Sequence, residues 1–414
     1  MKTLSLITLA AISSMAFAKE IPAAKEIPVT GVSFQKIQIL DKFISEGASI
    51  GDINADGHPD IVSGSLWWQG PAFENSHAFA PVKFFPIKGP GITGYSNNFL
   101  SFTSHLTADK WIDIIRVSLP GLPGDWIMNP GEKPLPANNT TQHCTHGKCQ
   151  DNICNESPQF LNVIGDDKPE LLAYSHQQIT LAIPNPNPNQ PWQVLPVSPK
   201  DKRFQKYQHG LGAGDINGDQ LPDILEKAGW WQQPAAWDKK SPWTFHPYPF
   251  APQQGGAQMF AYDIDGDGDN DVVTALNAHA YGLAWYEQVK DGDKITFKKH
   301  TVMTDKPEGN PYGVCFSQPH AMACVDIDGD GIKDLVTGKR FYAHNGRDPG
   351  AHDPAVIYWF RTTRKPDGSV EFTPHLIDDN SGVGCQVATG DLNKDGQVDI
   401  VIGNKKGVFA FIQR

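Results

Sequence analysis

Long apolar runs are missing from this 414-residue chain. The one near the start, Leu4 to Ala11, falls short of the ~20 residues that a membrane-crossing helix needs, and no other span exists. A helical membrane protein is therefore excluded. Helix signals are also scarce, while 39 Gly and 33 Pro supply many turns. That excludes a helix bundle and points to an all-β fold. Positive charge is in deficit, with 35 Lys and Arg against 46 Asp and Glu, a net −11. Such a balance excludes nucleic acid as a partner. Much of the negative charge sits in short loops and would be cancelled by bound cations, so the surface is less acidic than the sum.

The start of the chain reads as a secretory signal over residues 1–18. Lys2 and the apolar run precede Ala16-Phe17-Ala18, and Lys19 begins the expected mature chain. Residues 19–31 form a short lead. No Cys follows the expected cleavage site, which argues against a lipid anchor. The expected location is periplasmic or extracellular. In that setting six Cys pair by default. Cys144, Cys149 and Cys154 cluster in an apparent insertion, Asn138 to Asn155, where a bridge is expected. Zinc held there with His143 or His146 is the alternative. Cys315, Cys324 and Cys385 lie later.

The chain also repeats a loop with oxygen side chains at positions 1, 3, 5 and 9. Its clearest copies are Asp263, Asp265, Asp267 and Asp271, and Asp326, Asp328, Asp330 and Asp334. Asp52, Asn54, Asp56 and Asp60 follow the pattern, as do Asp391, Asn393, Asp395 and Asp399. Carboxylates at this spacing suit calcium, which takes six to eight oxygens in flexible geometry. Gly57, Gly268, Gly331 and Gly396 at position 6 permit the positive φ of a sharp turn. Asp215, Asn217, Asp219 and Asp223 keep the oxygens, but Gln220 replaces the glycine, which predicts strain or a different turn. Up to five structural calcium sites are expected. Two further copies are eroded and should hold no metal: His105, Thr107, Asp109 and Asp113, and Asn162, Ile164, Asp166 and Glu170. β-Branched residues, rather than a helix, follow each loop, which separates the motif from an EF-hand.

The loops begin at 52, 105, 162, 215, 263, 326 and 391. A period of roughly 50–65 residues suits propeller blades of about four strands each. A small-residue strand enters each loop and a β-branched strand leaves it. A third strand is aromatic: Trp67-Trp68, Trp230-Trp231, Trp285-Tyr286, Tyr358-Trp359. The last repeat lacks a fourth strand. Val32 to Leu40 carries the missing pattern, so it is expected to close the ring as the outer strand of the last blade and to cover an open edge. The expectation is one seven-bladed β-propeller over residues 32–414. On these residues the chain resembles the FG-GAP or VCBS-type repeat propellers, whose loops also occur in integrin α-subunit heads. The resemblance implies this fold and bound calcium, and it leaves function open, because such propellers serve adhesion, carbohydrate binding and polysaccharide cleavage.

The loops also act as rulers. Six residues before each one, on the opposite face and beside the axis, stand Glu46, Phe99, Glu156, His209, Ala257, His320 and Cys385. Two carboxylates and two imidazoles exceed what a structural strand needs. Hairpins on the same face add His279, Tyr281, Lys339, Arg340, Tyr342, His344 and Lys405. Such a face suits an anionic or polyhydroxylated ligand, hence carbohydrate or polysaccharide. The expected activity is a carbon–oxygen lyase on a uronic carbohydrate. His209 or His320 would be the base, Tyr281 or Tyr342 the acid, and Arg340 and Lys339 would neutralise charge. A sugar dehydratase with a second metal on Glu46, Glu156, His209 and His320 is a related expectation. The alternative is a non-catalytic, lectin- or adhesion-like propeller.

Overall fold

The computed structural model describes residues 25–28, 31–107, 109–132, 146–187, 190–292 and 294–414. The signal reading therefore lies outside the described residues, as do His143, Cys144 and the side chains of His146 and Cys149.

The described chain is almost wholly strand and turn, with two short 3₁₀ turns. Five of its sheets have four antiparallel strands, and four of these are meanders in chain order. In the fourth repeat, strands Leu211–Gly214, Asp223–Glu226, Gly229–Gln232 and Thr244–Pro247 lie in sequence order. A sixth sheet has eight strands and joins the second and third repeats. Their link is one pair, Ser175 opposite Ile153. Strand His146–Ile153 is the outer strand of the second repeat and pairs with Leu122–Ile127. The sequence read that stretch as insertion, because its Gly, Lys, Gln, Asp and Asn give no strand pattern. The free edge of the preceding strand needs a partner regardless of the partner's composition.

The N-terminal strand Phe34–Leu40 runs antiparallel to the last strand, Gly407–Gln413, and completes that sheet as its outer member. The core lies between neighbouring sheets. Ile53, Val62 and Trp67 of the first repeat pack with Ile114 and Ile127 of the second. Ile44, Ile61 and Trp68 pack with Val401, Val408 and Ala410 of the last. Inner strands are rich in small residues because the sheets crowd there. A Cβ on Gly212 would lie 1.9 Å from the Met259 carbonyl oxygen, and one on Gly384 2.0 Å from that of Glu46.

Four repeats share a cross-strand stack between a third-strand Trp and a fourth-strand His. The pairs are Trp67 with His77, Trp230 with His246, Trp285 with His300 and Trp359 with His375. In each the two residues are directly opposite in the strand register. Their ring centroids are 4.1–4.6 Å apart. The aromatic third strands thus serve packing.

Candidate functional site

The acidic loops share one turn. The backbone N–H at position 6 donates to the position-1 carboxylate at 2.8–3.3 Å in all five well-kept copies. Gln220 keeps that bond at φ 71°, against 84–98° for the glycines at the same place. The turn is therefore unchanged and the strain is local to Gln220.

The ninth-position carboxylate has a task the sequence did not reveal. Asp60 accepts the Ile53 and Gly70 N–H groups, both at 2.8 Å. Asp223, Asp271, Asp334 and Asp399 repeat this double bond across two strands. So does Asp113 in an eroded loop, with Leu106 at 3.0 Å and Asn129 at 2.8 Å. Glu170 accepts from Val163 at 2.9 Å. The carboxylate ties loop to sheet even where no metal is expected. Its constancy through the eroded copies was the available signal.

The loops still gather oxygens, the ninth-position carboxylate among them, as a hard cation requires. Carboxylate oxygens of Asp263, Asp265 and Asp271 lie within 4.8 Å of one another, as do those of Asp326, Asp328 and Asp334. Burial pushes the Asp223, Asp271 and Asp334 carboxyls up to about 7, and a neighbouring divalent cation would favour their ionised form. In the sixth repeat Arg361 lies against the loop, its Nε 2.5 Å from Asp328 and its Nη2 3.1 Å from Asp330.

The ring residues come together at the other end of the inner strands. Glu46, His209, His320 and Cys385 are fully buried, with Phe99 and Glu156 nearly so. Backbone bonds position them: Glu46 N–H donates to Asn98 O, Glu156 N–H to Gln208 O and Cys385 N–H to Glu46 O. Arg340 reaches in from the sixth repeat, 3.0 Å from Glu156, 3.4 Å from Glu46 and 2.5 Å from His320 Nε2. The Nε2 atoms of His209 and His320 are 3.1 Å apart.

A guanidinium can only donate, so His320 Nε2 is the acceptor and His320 is neutral. Burial and the Arg340 charge hold its pKa well below the usual range. Burial alone would raise Glu156, but His209 and the Arg340 guanidinium hold it well below the usual carboxylate range. Arg340 is thus committed to Glu46, Glu156 and His320, and it positions them instead of facing a ligand.

Solvent meets this cluster through His279, whose side chain is 16% exposed. Its ring lies 5.1 Å from that of His209 and 5.2 Å from that of His320. Asp348 sits between His279 Nδ1 at 3.3 Å and His344 Nδ1 at 2.8 Å. Burial pushes His279 down to about 4, with Asp348 opposing, so the imidazole is neutral at pH 7. Asp348 would be raised by burial, yet His279 and His344 hold it below its ordinary value. Imidazoles therefore lead from the axis to the surface. The offset rule could not find His279 and Asp348, since both stand on loops of irregular length.

The other expected residues sit apart from the imidazoles. The Tyr281 hydroxyl lies beside Gly350, close to the side-chain oxygens of Ser317 and Asp353. Tyr342 is buried between Lys88 and His352. Lys339 is fully buried, and burial lowers its pKa while Asp353 and Asp348 oppose. Cys154, Cys315, Cys324 and Cys385 are free thiols, so the default pairing fails among the described cysteines. No helix among the described residues is long and apolar enough to cross a membrane.

Several solved structures resemble the chain. A lectin from Agrocybe aegerita that recognises non-reducing terminal N-acetylglucosamine is 16% identical with a TM-score of 0.44, over 85% of this chain and 82% of that one. The V. cholerae biofilm matrix protein Bap1 is 10% identical with a TM-score of 0.37, over 90% and 88%. An exotype rhamnogalacturonan lyase is 11% identical with a TM-score of 0.41, over 94% and 74%. Likeness at this level carries nothing about activity. No curated protein matches in sequence. The FG-GAP-like repeat family matches residues 263–337 and 326–402. This all-β chain is built, across residues 263–402, from FG-GAP-like repeats.

Proposed function

We propose that the chain is an exported, calcium-stabilised, seven-bladed propeller that acts on carbohydrate as a carbon–oxygen lyase. The pairing of Phe34–Leu40 with Gly407–Gln413, and the packing of the first repeat on the last, support a closed ring. The oxygen sets of the five loops support calcium as a staple at one end.

The observation that carries the enzymatic reading is the approach of His209, His279 and His320, whose ring nitrogens lie within 4.8 Å of one another. The base role expected of His209 or His320 passes to His279, because the other two are sealed from solvent. Neutral His279 takes a proton from the carbon beside an electron-withdrawing carboxylate or carbonyl. The C–O bond at the next carbon breaks, a C=C bond forms, and the leaving oxygen takes a proton from an acid. Tyr281 and Tyr342 sit apart from the imidazoles, so water at the mouth supplies that proton. Asp348, 3.3 Å from His279 Nδ1, is placed to stabilise the imidazolium. Such proton transfer contributes on the order of 10²–10⁴ in rate. Glu46, Glu156 and Arg340 fix His209 and His320 behind it.

The second metal expected in the pocket would bind the three imidazoles, with Asp348 behind one of them. Glu46 does not fit that ligand set, since Arg340 holds it. Arg340 also engages His320 Nε2, so an ion must displace it. The non-catalytic reading draws on the complete burial of His209, His320 and Arg340.

The test is a screen of uronic polysaccharides and their oligosaccharides for unsaturated products by ultraviolet absorbance, with metal analysis of the purified protein. His279→Ala and Asp348→Asn should abolish or sharply reduce product while His77→Ala leaves it unchanged. No absorbance with any substrate would sink the lyase reading.

A further inference from the structure

A cavity of about 710 Å³ lies off the axis between the third and fourth repeats. It is bounded by the hairpin tip at His176 and Gln177 and by the segment from Lys200 to Tyr207. Lys200, Lys202 and Lys206 line it, and none of the described lining residues is acidic. The one acid in that segment, Asp201, is 3.4 Å from Arg203, which is itself 3.4 Å from Glu226. Asp201 and Glu226 are thus turned to Arg203, and the three lysines give the lining its positive sign.

Its backbone is unusual. Asn152, His176, Gln177 and Tyr207 all line the cavity with φ of 49–66°. At His176 and Gln177 a two-residue hairpin requires this. Tyr207 has no such reason, and a bulky residue there costs on the order of 1–3 kcal/mol. The outcome is an aromatic ring held 41% exposed beside lysines, whereas Phe204 is buried beneath.

The cavity is joined to the axial site by paired backbone. Tyr207 N–H donates to Cys154 O at 2.9 Å, and Glu156 N–H to Gln208 O at 3.0 Å. Cys154 and Tyr207 line the cavity, while Glu156 and His209, two residues further along each segment, belong to the axial cluster. Two residues span at most roughly 7 Å, so the cavity and the axial cluster lie within about one sugar unit of each other along the backbone.

We infer that this cavity is a subsite for an anionic sugar unit, which stacks on Tyr207 and places its carboxylate or sulfate among Lys200, Lys202 and Lys206. This rests on the carbohydrate reading above and adds a charge requirement one unit away from the reacting bond. Lysine is suited to a diffuse anionic site because its ammonium acts as a point charge without fixed fork geometry.

Calorimetric titration of the full chain at low salt would use three probes: galacturonate oligosaccharides, dextran sulfate oligosaccharides and neutral dextran oligosaccharides. Either or both anionic probes should bind, and which one does tells carboxylate from sulfate. The neutral one should not bind, and added salt should weaken the complex. The triple variant Lys200→Gln, Lys202→Gln, Lys206→Gln should lose at least about tenfold in affinity, and Tyr207→Ala about as much. His279→Ala should keep the affinity, which separates this subsite from the axial chemistry. An anionic probe that binds the triple variant as tightly as the native chain overturns the subsite and leaves the lyase reading standing. Failure of every anionic probe to bind the native chain also overturns it, while the lyase reading is judged separately by the absorbance screen.

Discussion

His209 and His320, 111 residues apart in sequence, hold their Nε2 atoms 3.1 Å from each other. Arg340 Nη1 closes on the same point, 2.5 Å from His320. Two imidazoles, two carboxylates and a guanidinium are therefore desolvated together, and the balance among them governs both stability and the candidate chemistry.

Arg340→Met should be severely destabilising. It leaves Glu46 and Glu156 buried without their countercharge, a change that costs about 3–5 kcal/mol in comparable buried pairs. Chemical denaturation should show the midpoint falling. Adding Glu46→Gln and Glu156→Gln should recover part of the loss. If the triple variant is no more stable than Arg340→Met alone, the guanidinium is not compensating those carboxylates.

Calcium removal should lower the melting temperature, because an ion bound only by the folded chain stabilises it by mass action. Asp267→Asn should shrink the calcium-dependent part of the shift. Asp113→Ala, in an eroded loop, should cost roughly 3 kcal/mol equally with and without chelator, since it removes the bonds from the Leu106, Thr107 and Asn129 N–H groups and no expected ligand. A calcium-dependent cost at Asp113 would mean that this loop also binds metal.

Lys405 supplies a pH test. The residue is 1% exposed, with its ammonium 3.1 Å from Tyr342 O and 4.1 Å from the Tyr95 ring centre. Burial pushes its pKa down to about 8 from 10.5. The folded chain then binds fewer protons than the unfolded chain between those values, so stability rises with pH across that window. The gain is on the order of 3 kcal/mol. Lys405→Met should remove that rise. Parallel stability curves for the two proteins from pH 8 to 10.5 would refute the shift.

The Trp–His stacks should each contribute about 0.5–1.5 kcal/mol beyond area burial. A double-mutant cycle on Trp359→Phe and His375→Ala would measure one of them, across rings 4.6 Å apart. Strict additivity would reduce the pair to independent packing.

Sequence legibility followed regularity. The acidic loops, the aromatic third strands and the outer N-terminal strand were readable because each recurs at a set offset within a repeat. Counting back six residues brought Glu46, Glu156, His209 and His320 to one place for the same reason: strand geometry ties an offset to a position. Strand His146–Ile153 escaped notice, since its identity comes from a neighbour's free edge and not from its own residues. The ninth-position staple was visible as a pattern but was read only as ligand.

By itself, the sequence determined the all-β class, the repeat and the residues gathered at each end of the inner strands, since these follow from local periodicity. Only the tertiary structure decided what the gathered residues do to one another. It turned Arg340 inward onto Glu46 and Glu156, sealed His209 and His320 from solvent, and brought His279 and Asp348 together from two different hairpins. Desolvation and charge pairing depend on distances between segments a hundred or more residues apart, and no local pattern encodes them.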